Sequence, residues 1–229
     1  MKILAIETST MLGGVSVMDE AEGLLIETRL NVKTAHSERL MTEVDHALKQ
    51  AGLGISDIDV FGVAIGPGSF TGLRIGLSTV KGFSYATGKP VVSVPSLEAF
   101  AWSFPYSEYP VCVMFDARKK EVYAAVFKWT DRGFERVMGE VSIRPADLVA
   151  SLEGKVVFAG EGALIYRETI AEIAGENALF AAPHAMVPSP SNVAYLGLRK
   201  AREGDFADPV TLVPCYIRRS EAEVKMGNR

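Results

Sequence analysis

Three apolar runs separated by polar turns open the chain and predict three β-strands. They cover residues 2–7 (KILAIE), 15–19 (VSVMD) and 24–30 (LLIETRL). Runs of this length are typical of strands and are too short for a stable helix. Because short turns join the three runs, we predict an antiparallel meander with a polar corner at residues 8–14.

Helix and strand patterns alternate in the rest of the chain. The first half continues with a helix over 34–52, a strand over 58–65, a glycine-rich helix that ends before Gly88, a strand over 90–94 and a short helix from Ser96. After a proline-containing linker, the second half has strands over 111–116, 121–129 and 134–143, a helix over 145–152, a strand over 156–159, a helix over 163–174 and a last helix over 193–202. The βββαβαβα order of the first half is that of the core unit of actin-like ATPases, and the second half repeats its βββαβα theme.

We therefore predict an α/β protein with a two-lobed actin-like ATPase fold. Each lobe is expected to be a mixed sheet in βββαβα order, and the second lobe is expected to be reduced. The first lobe is predicted to cover residues 1–104 and 190–218, and the second to cover 105–189. Residues 219–229 are expected to form a flexible tail.

The helix after residues 66–68 (GPG) contains more glycine than a helix normally tolerates. Gly72, Gly76 and Gly82 each cost about 1 kcal/mol relative to alanine inside a helix. Together with Thr79 they form a stripe of small residues, which allows another backbone to approach closely. Two interpretations stay open. The stripe packs on the protein's own sheet, or part of it also faces a partner protein.

Composition narrows the functional classes. The 229 residues carry a formal net charge of −4, and 48% of them are hydrophobic, as in ordinary globular proteins. The basic clusters are short, so tight independent binding of nucleic acid is not expected. No apolar run approaches the ~18 residues that span a bilayer, and residues 1–10 predict a buried strand rather than a signal peptide. We expect a cytoplasmic protein with no membrane partner.

The two corners where actin-like ATPases bind phosphate are only partly equipped in this sequence. The first corner offers Thr8 and Ser9, but Glu7 stands where such ATPases have an aspartate that positions magnesium. The second corner offers Asp116 and Arg118 but no glycine, so its backbone N–H groups close less easily around a phosphate. Surface ion pairs among Asp116, Arg118 and Glu121 are the alternative explanation.

Gly160 belongs to a third segment with a nucleotide-like pattern, residues 158–162 (FAGEG). It resembles the adenosine-side turn of the same ATPases, and an ordinary strand-to-helix turn explains it equally well. Residues 66–68 do not form a P-loop, because no Gly-Lys-Ser/Thr follows them. Thr8, Ser9, Asp116, Arg118 and Gly160 are therefore candidates for a vestigial nucleotide site.

Other catalytic and metal-binding patterns are missing from the sequence. His36, His46 and His184 are scattered, and Cys112 and Cys215 have no ligand spacing. No serine lies in a G-x-S-x-G nucleophile elbow. We predict no catalytic residue and no metal site.

Six segments together resemble the bacterial TsaB (YeaZ) family. They are IETST (6–10), AHSERLM (35–41), GPGSFTGLRIG (66–76), VPSLEAF (94–100), FDARKKEVYAAVF (115–127) and VPCYIRRS (213–220). The resemblance implies a part in making threonylcarbamoyladenosine at position 37 of tRNAs that read codons starting with A. Members of this family are non-catalytic partners of the paralogue TsaD, which carries the transfer chemistry, and the ATPase TsaE completes the assembly. Contact with tRNA is expected only through the complex.

The resemblance to TsaD also bears on metal binding. TsaD carries a metal-binding H-x-x-x-H on the helix after its fifth strand, and Ser96 and Phe100 stand at those two positions here. Serine is a poor ligand for iron or zinc and phenylalanine is none. A metalloprotease, which needs ligands for its metal, is therefore disfavoured.

The resemblance places a partner interface on the helices at residues 37–51 and 72–86, which pack against the equivalent helices of TsaD. Without TsaD, the same face is expected to form a homodimer, because exposed apolar patches associate. The residues expected at this interface are Ser37, Leu40, Met41, Val44, Leu48, Gly72, Arg74, Ile75, Gly76, Thr79 and Gly82.

No intrinsic cofactor is expected, although ATP or ADP fits a vestigial site or one completed at the interface. The leading hypothesis is a non-catalytic scaffold for threonylcarbamoyl transfer. The alternative, from another class, is an actin-like ATP-dependent small-molecule kinase or ATPase. Glycine at the second phosphate corner and an aspartate base would favour the alternative, and this chain lacks that glycine.

Overall fold

The first lobe is a five-stranded mixed sheet with helices on both faces. The computed structural model describes residues 1–31 and 36–217. The strands are β1 (Lys2–Glu7), β2 (Leu12–Asp19), β3 (Gly23–Asn31), β4 (Val60–Ala64) and β5 (Val91–Val94), in the spatial order β3-β2-β1-β4-β5. The helices among them are α1 (His36–Gln50), α2 (Phe70–Thr87) and α3 (Ser96–Ala101). β1 is antiparallel to β2 and parallel to β4, so the meander and the crossovers share one sheet.

The second lobe repeats this topology. Its strands are β6 (Val111–Asp116), β7 (Val122–Thr130), β8 (Gly133–Ile143), β9 (Val156–Ala159) and β10 (Ala178–Phe180), in the order β10-β9-β6-β7-β8. Its helices α4 (Pro145–Ala150), α5 (Glu161–Ile165) and α6 (Arg167–Ala174) are short, and α7 (Pro190–Arg202) follows. The predicted two-lobed α/β organisation is confirmed.

Two details of the second lobe differ from the prediction. The helix expected over 163–174 is two helices, because Tyr166 leaves the helical conformation with φ −106° and ψ 23°. The strand β10 was not predicted, because three residues are too few to show a hydrophobic periodicity. The predicted tail at residues 219–229 lies outside the described residues.

The first sheet is buried on both faces, which explains the nearly continuous apolar sequence of its central strands. α1 and α2 cover one face, where Leu4, Ile6 and Val63 join their core. α7 covers the other face and packs on Ile3 and Ala5. The chain thus returns from the second lobe to complete the first, and α3 joins its side chains to the core of the second sheet.

The corner after β1 and the first turns of α2 approach each other unusually closely. A Cβ on Gly72 would lie 2.1 Å from the carbonyl oxygen of Thr8, and one on Gly76 would lie 2.4 Å from its Oγ1. The Thr8 hydroxyl donates to the Gly72 carbonyl at 2.8 Å. By contrast, a Cβ on Gly82 would meet nothing within 4 Å. Intramolecular packing therefore accounts for Gly72 and Gly76 but not for Gly82.

This contrast gives a matched pair of substitutions on one helix. We expect Gly72→Ala to lower the free energy of unfolding by about 1–3 kcal/mol, because the methyl group overpacks the corner. Gly82→Ala should instead raise it by up to about 1 kcal/mol, since alanine is the better helix former at an open position. Urea unfolding of both variants measures the difference. Equal stabilities would show that the close approach does not constrain the fold.

Candidate functional site

The outer side of α1 and α2 is the first candidate surface, and the predicted interface residues divide into two groups there. Leu40, Val44 and Leu48 are buried in the core of their own lobe. Met41 lies at the edge of the same apolar stripe of α1 and is 55% exposed. The side chain of Ser37 lies outside the described residues. Helical periodicity revealed the wide apolar stripe of α1 but did not say which part of it the sheet covers.

The α2 positions divide in the same way. Gly72 and Gly76 face the corner after β1, whereas Arg74 and Gly82 are exposed and Ile75 is half-buried. Thr79, also half-buried, donates its hydroxyl to the Ile75 carbonyl at 2.9 Å. The described surface positions of the predicted interface are thus Met41, Arg74, Ile75, Thr79 and Gly82.

Two aromatic residues that the sequence did not single out extend this face. The Phe70 ring stacks on Tyr216 with 5.0 Å between centroids, and the Arg74 guanidinium lies 3.8 Å from the centre of the Phe70 ring. Arg74 Nε also donates to the Tyr216 hydroxyl at 2.9 Å. Beside this cluster, a shallow cavity of about 490 Å³ follows α2 over Ile75 and Thr79. The C-terminal segment therefore forms part of the candidate partner face.

The first corner after β1 is closed on itself. Glu7 and Ser9 are each 1% exposed, and the Ser9 backbone N–H donates to Glu7 Oε1 at 2.6 Å. Among the described residues, Glu7 Oε2 is buried with no hydrogen-bond partner. Burial raises the pKa of Glu7 from its usual value of 4.5 to about 7, although hydrogen bonds from Ser9 lower it in part. The Glu7 carboxylate thus lies in the interior of the lobe and does not line the cleft.

The second corner has an unusual backbone. Arg118, Lys119 and Lys120 take φ values of 60°, 54° and 63°, so three consecutive non-glycine residues are left-handed. Each such residue costs roughly 1–2 kcal/mol. Asp116 Oδ1 accepts from the Arg118 backbone N–H at 2.9 Å, and its Oδ2 lies 3.2 Å from Arg118 Nη1. The turn thus closes without glycine, and Asp116 and Arg118 form an ion pair.

Both corners border one cleft between the lobes, with a volume of about 220 Å³. Ser9, Asp116 and Arg118 line it together with Glu161. Burial chiefly raises the pKa of Glu161, and the charge of Asp116 adds to the effect. The volume is below the ~300–1,000 Å³ typical of small-molecule sites. The carboxyl groups of Asp116 and Glu161 face a single guanidinium group, that of Arg118. The cleft is therefore poorly matched to a nucleotide's phosphates within this single chain.

Thr8 and Gly160, the other nucleotide candidates, serve the fold in this structure. The Thr8 hydroxyl is bonded to α2, as described above. Gly160 begins α5 with φ 100°, and a Cβ there would lie 2.3 Å from the Met114 carbonyl oxygen. Steric packing and a left-handed backbone are sufficient reasons for glycine at this turn.

The positions aligned with the TsaD metal ligands are interior positions here. Ser96 Oγ accepts from the Gly66 backbone N–H at 3.0 Å. Phe100 is 1% exposed and meets the Phe115 ring edge-on at 5.6 Å. Within residues 1–31 and 36–217, no cluster of three or more His, Cys, Asp or Glu side chains is arranged to hold a metal ion. In the same part of the chain, no helix combines the length and apolar character needed to cross a membrane.

Comparison with known proteins identifies a matching family and a relative that is similar over the whole chain. Residues 30–226 match the family described as TsaD, tRNA N6-adenosine threonylcarbamoyltransferase. The chain is 31% identical over 228 residues to the tRNA threonylcarbamoyladenosine biosynthesis protein TsaB of Bacillus subtilis, covering 98% of this chain and 97% of that protein.

Two solved structures share the fold of this chain. A crystal structure from Pseudomonas aeruginosa, of an uncharacterized protein with similarity to peptidase YeaZ, has a TM-score of 0.82 at 25% identity and covers 95% of this chain and 99% of its own. Component A of (R)-2-hydroxyglutaryl-CoA dehydratase from Acidaminococcus fermentans shares the fold alone, with a TM-score of 0.53 at 12% identity over 88% of this chain and 99% of its own. The fold is the two-lobed actin-like α/β fold that the strand order predicted. On this sequence and structural evidence, the chain belongs to the TsaB (YeaZ) family.

Proposed function

We propose that this chain is a non-catalytic scaffold or activating subunit of a tRNA threonylcarbamoyltransferase. In this proposal it pairs with TsaD, and with TsaE, for transfer of the threonylcarbamoyl group to N6 of adenosine 37 in tRNAs that read codons starting with A. The TsaB name of the Bacillus subtilis relative and the match to the TsaD family support the pathway and the pairing. The complex works in the cytoplasm, and alone the chain forms a homodimer.

The observation that carries the pairing is the exposed face of α1 and α2. Met41 is 55% exposed beside the buried apolar positions of α1, and the cavity over Ile75 and Thr79 lies on the neighbouring helix. Because this chain matches the TsaD family over most of its length, TsaD presents a related pair of helices. Two such pairs bury each other's apolar positions in a four-helix arrangement, and a second copy of this chain competes for the same face.

The non-catalytic role is supported by what the two corners and α3 do with their polar groups. Glu7 is turned into the protein, and Ser96 is bonded to the backbone of the loop before α2. Both side chains are engaged in contacts within the protein. Transfer chemistry is therefore assigned to the partner.

One observation favours the second candidate function, an actin-like ATP-dependent kinase or ATPase. Ser9, Asp116 and Arg118 meet at a single inter-lobe cleft, as a nucleotide site in this fold requires. The small volume of the cleft and its acidic lining weigh against turnover by this chain alone. ATP or ADP fits better at a vestigial site that the partner subunit completes.

The proposed function is tested by reconstitution. We expect this chain and TsaD from the same organism to co-elute in gel filtration, and threonylcarbamoyl transfer with TsaE to require this chain. The chain alone should neither hydrolyse ATP nor modify tRNA. ATP turnover by this chain alone, with no effect on threonylcarbamoyl transfer by TsaD, would instead support the kinase or ATPase hypothesis.

The partner face is tested by Met41→Glu. We expect this substitution to weaken both the heterodimer and the homodimer by more than about 30-fold, since an unpaired charge buried at an interface costs at least about 2 kcal/mol. Analytical ultracentrifugation measures both equilibria.

Leu164→Glu is the matched control for Met41→Glu, because Leu164 is 48% exposed on α5 of the other lobe. It should leave both assemblies intact. Val44 is unsuitable for this test, since it is 3% exposed and a charge there would unfold the lobe. If Met41→Glu assembles as tightly as the control, this face is not the interface.

The inward position of Glu7 predicts a pH-dependent stability. Its pKa is about 7 in the folded protein, against the usual 4.5. Between these values the folded chain keeps a proton that the unfolded chain releases, so this group's contribution to stability falls as pH rises from about 4.5 to 7. Glu7→Gln cannot ionise. We expect the stability of this variant relative to wild type to rise by up to about 3 kcal/mol between pH 4.5 and pH 8.

Urea unfolding at the two pH values measures this change, and any constant effect of the amide cancels in the comparison. Glu22→Gln, in the exposed turn between β2 and β3, is the control. If Glu7→Gln differs from wild type by the same free energy of unfolding at both pH values, burial does not raise the pKa of Glu7.

A further inference from the structure

A cavity that the proposed function does not use lies beside α7. Its volume is about 700 Å³, within the range of ligand sites, and it opens on the side of the first sheet opposite α1 and α2. We call it the aromatic cleft and define it by six of its lining residues: Trp102, Tyr106, Trp129, Arg132, Tyr195 and Arg199.

The rings of the aromatic cleft form one connected group that remains open to solvent. Trp102 and Tyr195 have centroids 4.9 Å apart, Tyr106 and Trp129 also 4.9 Å, and the two tryptophans 5.4 Å. Tyr106 is nevertheless 81% exposed and Tyr195 is 40% exposed. Aromatic rings that served only to fill a core would be covered. This group presents ring faces to the solvent, where a planar ligand stacks.

Tyr106 is held in an unfavourable backbone conformation. Its φ is 62°, which is a left-handed value for a bulky residue with a Cβ. Such strain persists where the surrounding structure imposes it, and it is concentrated at functional sites. Here the strained residue carries the most exposed ring of the aromatic cleft.

The charges of the aromatic cleft favour an anion beside the stacked ring. The Arg199 guanidinium lies 5.4 Å from the centre of a Trp102 ring and 5.9 Å from that of Tyr195. Among the described residues, neither Arg199 nor Arg132 forms a salt bridge with a carboxylate. Within the aromatic cleft, these two guanidinium groups face one carboxylate, Asp131. Both arginines also border a neighbouring cavity that Glu98, Glu203 and Asp205 line, so the excess of positive charge is confined to the aromatic cleft.

From this arrangement we propose that the aromatic cleft binds an unpaired nucleotide of single-stranded RNA. The base stacks on the exposed rings around Tyr106, and Arg132 and Arg199 hold the flanking phosphates. Stacking platforms combined with arginines are the general means of binding unpaired nucleotides. The choice of RNA over a free nucleotide rests on the proposed function. The inference goes beyond that function by giving this chain its own contact with RNA, which a net charge of −4 keeps weak outside the complex.

The chain carries a built-in reporter for this site. Both of its tryptophans, Trp102 and Trp129, line the aromatic cleft, so tryptophan fluorescence reports on this site. We expect saturable quenching by single-stranded hexaadenylate RNA, weaker binding of AMP and still weaker binding of adenosine. The logarithm of the affinity for the hexamer should fall with the logarithm of salt concentration with a slope of about −1.4, as for two phosphate contacts.

Two variants and a matched control assign the binding to the aromatic cleft. Tyr106→Ala should weaken hexamer binding about 5- to 150-fold by removing the stacking ring. Arg132→Ala should weaken it and flatten the salt slope by about 0.7, the share of one phosphate. Tyr85→Ala removes an equally accessible tyrosine, 94% exposed on α2, and should change neither. Tyr106 and Arg132 lie at the surface, so circular dichroism should report unchanged folding for both variants.

Several outcomes would overturn the proposal. These are no quenching by the hexamer at millimolar concentration, quenching that Tyr106→Ala leaves unchanged, and AMP binding as tightly as the hexamer. Quenching by TsaD but not by RNA would make the aromatic cleft a protein-docking surface. Failure of the proposed function is distinguishable, because it would abolish co-elution of the wild-type chain with TsaD while hexamer binding persisted. We expect Tyr106→Ala to co-elute with TsaD as wild type does.

Discussion

The close approach between the first corner and α2 is the contact on which the first lobe depends. Gly72 and Gly76 allow the helix to rest on Thr8, and the Thr8 hydroxyl ties the corner to the helix at 2.8 Å. The same packing sets the rotation of α2 about its axis. With Gly72 and Gly76 turned inward, Arg74, Ile75 and Thr79 are turned toward the surface or its edge. The position of the candidate partner face thus follows from a steric requirement at the sheet.

This contact also engages the polar groups of the first corner, where actin-like ATPases bind phosphate. At the first corner, Thr8 is bonded to α2 and Glu7 is folded back onto the Ser9 backbone. The polar groups that would surround a phosphate are used to hold the lobe together. At the second corner, Asp116 is occupied by Arg118. Both corners thus use their polar side chains in contacts within the protein.

The order of elements was readable from the sequence because strands and helices here follow clear periods and are separated by polar turns. What could not be read depends on contacts between distant residues. Helical spacing joins Leu40, Met41 and Val44 in one apolar stripe, but only the sheet decides that Met41 is left outside. The Tyr216 contact with Arg74 spans 142 residues and has no local signal. The inward turn of Glu7 is likewise a tertiary feature.

The aromatic cleft could not be predicted from the sequence for the same reason. Trp102 directly follows α3, while Trp129 belongs to β7 and Tyr195 to α7. These elements meet because α7 returns to the first sheet across the junction of the lobes. That return also separates the two surfaces, since α7 covers the face of the sheet opposite α1 and α2. A partner seated on α1 and α2 therefore leaves the aromatic cleft accessible. Protein pairing on one face and RNA contact on the other are physically compatible in a single small subunit.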